Sequence, residues 1–349
     1  MSDNFEKIKR DEEGRVWQKQ LYVTYGTKCQ CNCECCRNKS FNTDDMRLNK
    51  ERLHKKFLDE AKNFRHIVFG GGEPLLSIDE ILEIVKDYRD LNSYIIGDDS
   101  RTYFTLVTNG ERNKFLRLIE DNCSNCKMFE NYIISRYHYD DNKNESVFRT
   151  RGTLMTKEDL ESLCETLKRK IQLSCLCQKG GIETVEDAKK YIEFGMEVGI
   201  TNVMFSNFQD DVTVQEAKKL ACKDGFIDDL KSLIESLGFE KEGESIVFSA
   251  GFKLTTYKGH VIKQTETKLQ PKINPFIRLF MRLIGVRMPI PNVTMTEEEE
   301  SEMRISFREF ISKEELQSEW DKSKRRTYNY SIMPNGTMYK DWSCREEVN

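Results

Sequence analysis

The sequence lacks any run of about 18 apolar residues free of charge, which is the shortest length expected of a membrane-spanning helix. Its first residues, MSDNFEKIKR, contain no apolar core of the kind found in signal peptides. The net charge is only −4 at pH 7, so no excess of positive charge indicates nucleic-acid binding. We therefore expect a cytoplasmic protein, in a reducing compartment, that neither crosses a membrane nor binds nucleic acid.

The apolar content is sufficient for a large folded domain. The 349 residues are 38% hydrophobic, which can form the core of one barrel-sized domain with an extension. Strand-like and helix-like segments alternate along the chain, and this alternation predicts parallel βαβ units of an α/β fold. The predicted strands are 21–25, 66–70, 102–108, 131–136, 171–177 and 201–206, and the predicted helices are 47–63, 78–91, 111–121, 157–169, 184–198 and 226–237.

The twelve cysteines are the most informative residues. In a reducing compartment they are better explained as metal ligands and small buried residues than as disulfides. Cys29, Cys33 and Cys36 follow a strand-like run with the spacing CxxxCxxC, whereas a start at Cys31 would require a cysteine at Asn38. Three thiolates in this spacing can each bind one iron of a [4Fe–4S] cube and leave the fourth iron open. Spacing alone leaves a zinc site or a redox pair as alternatives.

Two further motifs stand at the ends of predicted strands. The segment 70–76 reads GGGEPLL, and the segment 105–110 reads TLVTNG. Glycine lets the backbone approach a ligand closely, and Glu73 can accept a hydrogen bond from an ammonium group. With the cysteine loop, these segments resemble the CxxxCxxC, GGEP and TNG motifs of the radical S-adenosylmethionine (SAM) superfamily. The layout is most similar to the branch of the molybdenum-cofactor cyclase and the peptide-modifying enzymes.

The resemblance implies a fold and a domain organisation. It predicts a partial (β/α)6 TIM-like barrel over residues 16–240, preceded by a lead-in of residues 1–15. An α+β C-terminal extension of residues 241–349 would form a substrate or lid region. The extension is predicted to begin with a hairpin around Lys258–Gly259, and its acidic run 297–300 is predicted to begin a helix. Peptide-modifying relatives often have a cysteine-rich extension, but the last hundred residues here contain only Cys344.

The resemblance also implies cofactors and the residues that bind them. The cofactors would be a [4Fe–4S] cluster on Cys29, Cys33 and Cys36, and SAM. The residues predicted to bind SAM are Gly71, Gly72, Glu73, Pro74, Thr108 and Asn109, joined by Ser135 at the end of the fourth strand and by Arg149. An arginine fork suits the methionine carboxylate, although a solvated loop arginine is the alternative for Arg149. The family position that usually carries an adenine-binding aromatic residue is Cys35 here.

Three residues are candidates for catalysis. Cys175 and Cys177 are two apart on the fifth predicted strand and so share a face; if that face lines the barrel, one thiol can supply a hydrogen atom to a substrate radical. The alternative is that both are small core residues. His138, in an aromatic and acidic loop after the fourth strand, is the third candidate and could orient the substrate.

Two segments remain unassigned by the motifs. Cys123 and Cys126 form a CxxC pair, but they follow the third helix and are expected at the bottom face of the barrel, away from the cluster loop. The segment 275–287 is apolar except for three arginines. It could form a lid, a peptide-binding groove wall or a membrane-surface contact, or it could pack on the barrel with its arginines reaching solvent.

The function implied by the resemblance is reductive cleavage of SAM to methionine and a 5′-deoxyadenosyl radical, which abstracts hydrogen from a substrate. A reductant protein of the flavodoxin or ferredoxin type would supply the electron. A peptide is the first choice of substrate, as in ribosomal peptide maturation. The alternative is a nucleotide or small metabolite in cofactor or natural-product biosynthesis. A non-catalytic metal-binding or electron-transfer module is an interpretation from a different class.

Overall fold

The computed structural model describes residues 8–10, 16–36, 47–92, 102–120, 127–208, 219–247, 252–269, 293–310, 313–323 and 325–340. The chain divides into two compact units, of which the first contains Met1–Gly259 and Arg304–Asn349 and the second contains His260–Met303. The predicted boundaries at residues 15 and 240 stay predictions. Cys123, Cys126 and the segment 275–287 lie outside the described residues.

Six parallel strands form the first part of the sheet, in the order of the chain. All six were predicted from the sequence, and the α/β barrel class is confirmed. The described strands are β1 Ile8–Arg10, β2 Val16–Thr24, β3 His66–Gly70, β4 Tyr103–Thr108, β5 Asn131–Ser135, β6 Ile171–Leu176, β7 Asn202–Ser206, β8 Glu240–Val247, β9 Phe252–Leu269, β10 Val293–Phe310, β11 Arg325–Ile332 and β12 Met338–Tyr339.

Strands of the C-terminal region complete the sheet into a ring. β10 pairs in parallel with β7, and β11 pairs in parallel with β2, with β9 and β8 between them in the order β7-β10-β9-β8-β11-β2. The predicted helix at 297–300 is therefore wrong, because these residues belong to β10. The predicted hairpin turn at Lys258–Gly259 is also wrong, since both residues lie within β9. Gly259 is instead the place where the Phe239 ring lies against the strand and leaves no room for a Cβ.

The helices lie between the strands along the chain. Two helices begin at threonine caps: Thr156 accepts a hydrogen bond from the Asp159 backbone, and Thr184 accepts one from the Asp187 backbone. The predicted helix 157–169 is broken by the extended residues Leu163 and Cys164. The described helices are α1 Lys50–Glu60, α2 Ile78–Leu91, α3 Arg112–Glu120, α4 Asp141–Phe148, α5 Lys157–Ser162, α6 Glu165–Lys168, α7 Val185–Glu197, α8 Phe226–Ser236 and α9 Lys313–Lys322, with 3-10 turns at Ala61–Asn63 and Pro74–Ser77.

The core lies between the outer face of the strands and the helices. Aromatic pairs mark this layer, and their ring centres are 5.5 Å apart for Phe57 and Phe69 and 5.6 Å apart for Phe115 and Tyr132. Residues alternate between the two faces of a strand, so the neighbours of these core residues face the interior of the ring. That interior is where the candidate site lies. Within the described part of the chain, no helix combines the length and the apolarity that crossing a membrane requires.

Candidate iron–sulfur and cofactor site

The carboxyl ends of the parallel strands surround a cavity of about 310 Å³. Ligand sites in parallel α/β folds occur at this end of the strands, because the loops that follow the strands meet there. All three sequence motifs contribute to the wall of the cavity. Its lining residues are Tyr22, Thr24, Cys29, Cys33, Cys35, Cys36, Gly71, Gly72, Val107, Thr108, Asn109, Ser135, Tyr137, Phe148, Arg308, Ser331 and Met333.

The cysteine loop and the glycine loop are joined by backbone hydrogen bonds. The Gly72 N–H donates to the Gly26 carbonyl at 3.1 Å, and the Glu73 N–H donates to the Lys28 carbonyl at 2.7 Å. A Cβ atom at Gly72 would overlap the backbone of Thr27 and Lys28. Gly72 is therefore required for the close approach of the two loops, which is what places the thiols beside the glycine backbone.

Replacing Gly72 with alanine is expected to separate the two loops. The overlap is with backbone atoms, so it cannot be relieved by a side-chain rotation, and overpacking of this kind costs about 1–3 kcal/mol. We expect a lower free energy of unfolding and less iron bound per chain after reconstitution. The matched control is Gly243→Ala, where a Cβ meets no atom within 4 Å. Wild-type iron content and stability in Gly72→Ala would contradict this account of the loop.

Glu73 joins the glycine loop to the TNG segment. Its carboxylate is buried and accepts hydrogen bonds from the Thr108 hydroxyl at 2.6 Å, the Asn109 N–H at 2.7 Å and the Leu75 N–H at 2.9 Å. Burial raises the pKa of Glu73 to about 7, while these three hydrogen bonds act in the opposite direction. Glu73 does not line the cavity. Its described contacts make it a bridge between two loops, and its predicted contact with the SAM amino group stays a prediction.

Asn109 connects the TNG segment to the cysteine loop. Its amide nitrogen lies 3.4 Å from the Cys29 sulfur and 3.3 Å from the Cys31 sulfur, and its amide oxygen accepts from Gln30 at 2.9 Å. Hydrogen bonds to ligand sulfurs are one of the features that set the potential of an iron–sulfur site. Asn109 is therefore placed to act on the thiols themselves as well as on a cofactor in the cavity.

The thiols of the cysteine loop lie close together. Cys29, Cys33 and Cys36 all line the cavity, and so does Cys35. A side-chain hydrogen bond with Cys31 is the largest influence on two of these groups. Cys29 accepts from Cys31, which lowers the pKa of Cys29, whereas Cys33 donates to Cys31, which raises the pKa of Cys33 to about 12. Cys31 and Cys35 are thus direct neighbours of the predicted ligands.

The residues present fit a cluster that is shared among separate thiols. Among the described residues, no group of three His, Cys, Asp or Glu side chains is arranged to hold a single metal ion. A cube makes a different demand, since each thiolate binds its own iron. The three predicted ligands are half-buried, are not in disulfides and share one cavity wall. This donor set is the one that iron–sulfur chemistry uses.

The two candidates for SAM contacts beyond the motifs are placed differently. Ser135 lines the cavity at the end of β5, and its hydroxyl makes no hydrogen bond with another described residue. Arg149 ends α4 in a left-handed conformation, with φ of 52°, and its guanidinium forms an ion pair with Glu34. Arg149 does not line the cavity, so the structure brings Ser135 to the site but not the side chain of Arg149.

The structure does not bring the three catalytic candidates into the cavity. Cys175 pairs in register with Phe205, whose ring lies 5.7 Å from Tyr191 of α7, so this thiol lies on the helix side of β6. Cys177 is buried two residues further on the same face. His138 is buried, and its Nδ1 accepts a hydrogen bond from the Asp140 N–H at 2.9 Å. Hydrogen-atom donation required the face of β6 that carries the two cysteines to line the barrel interior. Both cysteines lie on the other face, towards the helices, so this condition is not met.

Several cavity residues were missed by the sequence motifs. Tyr137 and Phe148 stack with ring centres 4.5 Å apart and an interplanar angle of 18°. Arg308 and Ser331 come from strands of the extension, far from the motifs in sequence. Alternation of residue types along a strand only weakly indicates that such residues line a cavity. β10 and β11 reach the site by pairing with β7 and β2, which are distant in the sequence, and no local pattern predicts that pairing.

Comparison with known proteins gives one family match, and it covers the motif-bearing segment. A family model described as a 4Fe-4S single cluster domain matches residues 15–121. No curated protein sequence matches the chain.

Solved structures give weaker matches. Streptococcus suis SuiB is 14% identical, with 63% of this chain and 45% of SuiB covered and a TM-score of 0.44. Native anSMEcpe with bound AdoMet is 17% identical, with 63% of this chain and 62% of anSMEcpe covered and a TM-score of 0.41. Coproporphyrinogen III oxidase (HemN) from Escherichia coli, a radical SAM enzyme, is 10% identical, with 65% of this chain and 54% of HemN covered and a TM-score of 0.41. The chain spans less than two thirds of the length of each of these proteins.

The family match contains the cysteine loop, the GGGEP segment and the TNG segment, which are the motifs that meet at the cavity. This match to an iron–sulfur domain agrees with the prediction that Cys29, Cys33 and Cys36 bind a [4Fe–4S] cluster. Residues 15–121 are therefore similar to a 4Fe-4S single cluster domain.

Proposed function

We propose that this chain is a radical SAM enzyme that cleaves SAM reductively and directs hydrogen abstraction at a peptide. One observation carries the proposal: the cysteines, the glycine loop, the TNG segment and Ser135 share the wall of a single cavity. When bound there, the cluster and SAM supply one-electron cleavage of a sulfonium–carbon bond and hydrogen abstraction. The protein supplies binding, orientation and exclusion of water.

The cysteine loop would hold the cluster at the mouth of the ring. Cys29, Cys33 and Cys36 would each bind one iron, which leaves one iron for the cofactor. The hydrogen bonds from Gly72 to Gly26 and from Glu73 to Lys28 fix this loop against the end of β3. Such fixation is needed because a reacting group displaced by about 1 Å loses much of its rate advantage.

The cofactor would lie against the glycine loop and the end of β5. The backbone of Gly71 and Gly72 borders the cavity without side chains, so its polar groups can reach the methionine part of SAM. The Ser135 hydroxyl is available for a further hydrogen bond. The stacked rings of Tyr137 and Phe148 provide an aromatic wall for adenine, a role that Cys35 cannot fill.

The substrate class follows from the layout of the motifs. Their similarity to the branch that contains peptide-modifying enzymes favours a peptide. A nucleotide or small metabolite is the second candidate, and one observation favours it: the last hundred residues contain a single cysteine, unlike the cysteine-rich extensions frequent in peptide-modifying relatives. A reductant of the flavodoxin or ferredoxin type completes the proposal.

The direct test is turnover of SAM without a substrate. The protein is reconstituted with iron and sulfide under anaerobic conditions, reduced with dithionite and incubated with SAM, and 5′-deoxyadenosine and methionine are quantified. We expect both products in equal amounts, and none when the reductant or the iron is omitted. A protein that carries a full complement of iron and sulfide but forms no 5′-deoxyadenosine would refute the proposal and would favour a non-catalytic module.

A further inference from the structure

One charged side chain in the cavity wall has no partner of opposite charge in the part of the chain that the structure describes. Arg308 of β10 lines the cavity, and its buried Nε makes no hydrogen bond with any described residue. Its guanidinium lies 5.0 Å from the ring centre of Phe252. Among the described residues that line the cavity, Arg308 is the only one with a formal positive charge.

The strand register directs Arg308 into the ring. Arg308 pairs with Ser206 of β7, and the preceding Phe307 pairs with Phe205. The rings of Phe307 and Phe205 lie 6.0 Å apart on the helix side of the sheet. Because successive residues of a strand point to opposite faces, the side chain of Arg308 faces the interior.

The other arginines near the site are paired with carboxylates. Arg136, which is buried, contacts Asp141 and donates to the Met155 carbonyl at 3.0 Å, and Arg149 is paired with Glu34. For Arg308, burial lowers the pKa of the guanidinium, and among the described residues the opposing influences come from the phenols of Tyr22 and Tyr137.

The described surroundings of Arg308 therefore lack a counter-charge. A phenol is neutral near pH 7 and so cannot balance the guanidinium. Arg308 is half-buried with its Nε fully buried, so the lack of a counter-charge is costly, and an anion from a ligand would reduce that cost.

The position of Arg308 in the ring indicates which ligand brings the anion. β10 lies opposite β3 in the ring, because four strands separate the two in either direction around it. These are β4, β5, β6 and β7 on one side and β2, β11, β8 and β9 on the other. The residues that face the proposed cofactor, Gly71 and Gly72, follow β3. The amino and carboxylate groups of SAM share one carbon atom, so a cofactor held at the glycine loop keeps its carboxylate on that side.

We propose that Arg308 binds a carboxylate of the substrate, on the wall of the cavity opposite the glycine loop. The inference rests on the proposed function, since it assigns SAM to the other side. A guanidinium matches a carboxylate through two parallel hydrogen bonds, which fixes orientation as well as position. The substrate class becomes a peptide or small molecule with a free carboxylate near the reacting carbon.

The test uses the reconstituted protein and a small carboxylate probe. Binding of N-acetylglycinate and of its neutral counterpart N-acetylglycinamide is measured by saturation-transfer NMR, without SAM and with saturating SAM. Wild type is compared with Arg308→Gln, Arg308→Lys and the control Arg304→Gln, an exposed arginine of the same strand that pairs with Glu242. The dissociation constant for SAM is measured for each variant.

We expect the wild type to bind the carboxylate and not the amide, with or without SAM. Arg308→Gln should weaken this binding by at least about tenfold, Arg308→Lys should be intermediate, and Arg304→Gln should match wild type. SAM affinity should change by less than about twofold. Equal binding of the two probes by wild type, or unchanged binding in Arg308→Gln, would overturn the inference. A loss of SAM affinity in Arg308→Gln would overturn it as well, because the anion would then be the cofactor's carboxylate.

Failure of this inference and failure of the proposed function can be told apart. Probe binding without SAM requires neither turnover nor the cofactor. A wild-type protein that forms 5′-deoxyadenosine but does not recognise the carboxylate refutes only the role of Arg308. A protein that recognises the carboxylate through Arg308 but never cleaves SAM refutes the proposed function and leaves an anion site in the cavity.

Discussion

Replacing Cys29, Cys33 or Cys36 with alanine is expected to abolish assembly of the [4Fe–4S] cluster, whereas the same change at Cys31 or Cys35 should leave it intact. Each predicted ligand binds a separate iron, so the loss of one thiolate leaves a cube with only two protein ligands. The neighbouring thiols contact the ligands through hydrogen bonds but are out of register with the motif. We expect loss of bound iron, and of 5′-deoxyadenosine formation, in the first three variants alone.

The measurement is iron and sulfide per chain after anaerobic reconstitution, together with the visible absorption of the cluster. Cys31 and Cys35 are matched controls, because they have the same residue type, the same loop and the same partial burial. Retention of the cluster in Cys36→Ala with its loss in Cys35→Ala would show that the ligand register is shifted by one residue. Retention in all five variants would remove the basis for the site.

The second large effect is expected at Glu73. In Glu73→Gln an amide nitrogen must replace one carboxylate oxygen, so it faces either the Asn109 N–H or the Leu75 N–H, both of which are donors. Leaving a buried N–H donor without an acceptor should cost about 1–3 kcal/mol. Because Glu73 joins the glycine loop to the TNG segment, we also expect weaker SAM binding. Chemical denaturation and SAM titration measure the two effects.

The matched control is Glu130→Gln. Glu130 accepts a hydrogen bond from the Phe104 N–H at the other end of β4 and pairs with Arg89. This change should lower stability without altering SAM affinity, since Glu130 does not line the cavity. Equal SAM affinity in wild type and Glu73→Gln would contradict the bridging role.

The pH dependence of stability provides a second measure of Glu73. Folded Glu73 has a pKa of about 7, above the ordinary value of 4.5, so the folded state keeps its proton to higher pH than the unfolded state. The contribution of Glu73 to stability is therefore full below about pH 4.5 and is lost as the pH rises through about 7, by about 3 kcal/mol in all. The stability difference between wild type and Glu73→Gln, measured on cluster-free protein, should narrow over this range. A constant difference would contradict the shift.

The parallel strands and their motifs were predictable because the signals are local. The run before Cys29, the run before Gly70 and the run before Thr108 each combine strand-forming residues with a motif at the carboxyl end. The Asn335–Gly336 turn between β11 and β12 was predictable for the same reason, and Gly336 has φ of 78°. These features depend on a few adjacent residues.

Features that depend on distant pairing could not be predicted. The acidic run 297–300 favours a helix start by composition, yet it lies in β10, which pairs with β7 about a hundred positions earlier in the chain. Helix α4 lies in a segment that was expected to be a loop. The sequence did not decide whether Cys175 faces the helices or the interior of the ring. Alternation along a strand indicates which residues share a face, but it does not indicate which face packs against the helices.

The central claim is a cube with one iron open to SAM, and electron paramagnetic resonance tests it most directly. Wild-type protein, reconstituted and reduced without oxygen, is measured before and after SAM is added. The account predicts a reduced [4Fe–4S] signal whose g-values change when SAM binds the open iron. A signal that SAM leaves unchanged, or a protein that takes up zinc and gives no iron–sulfur signal, would contradict it.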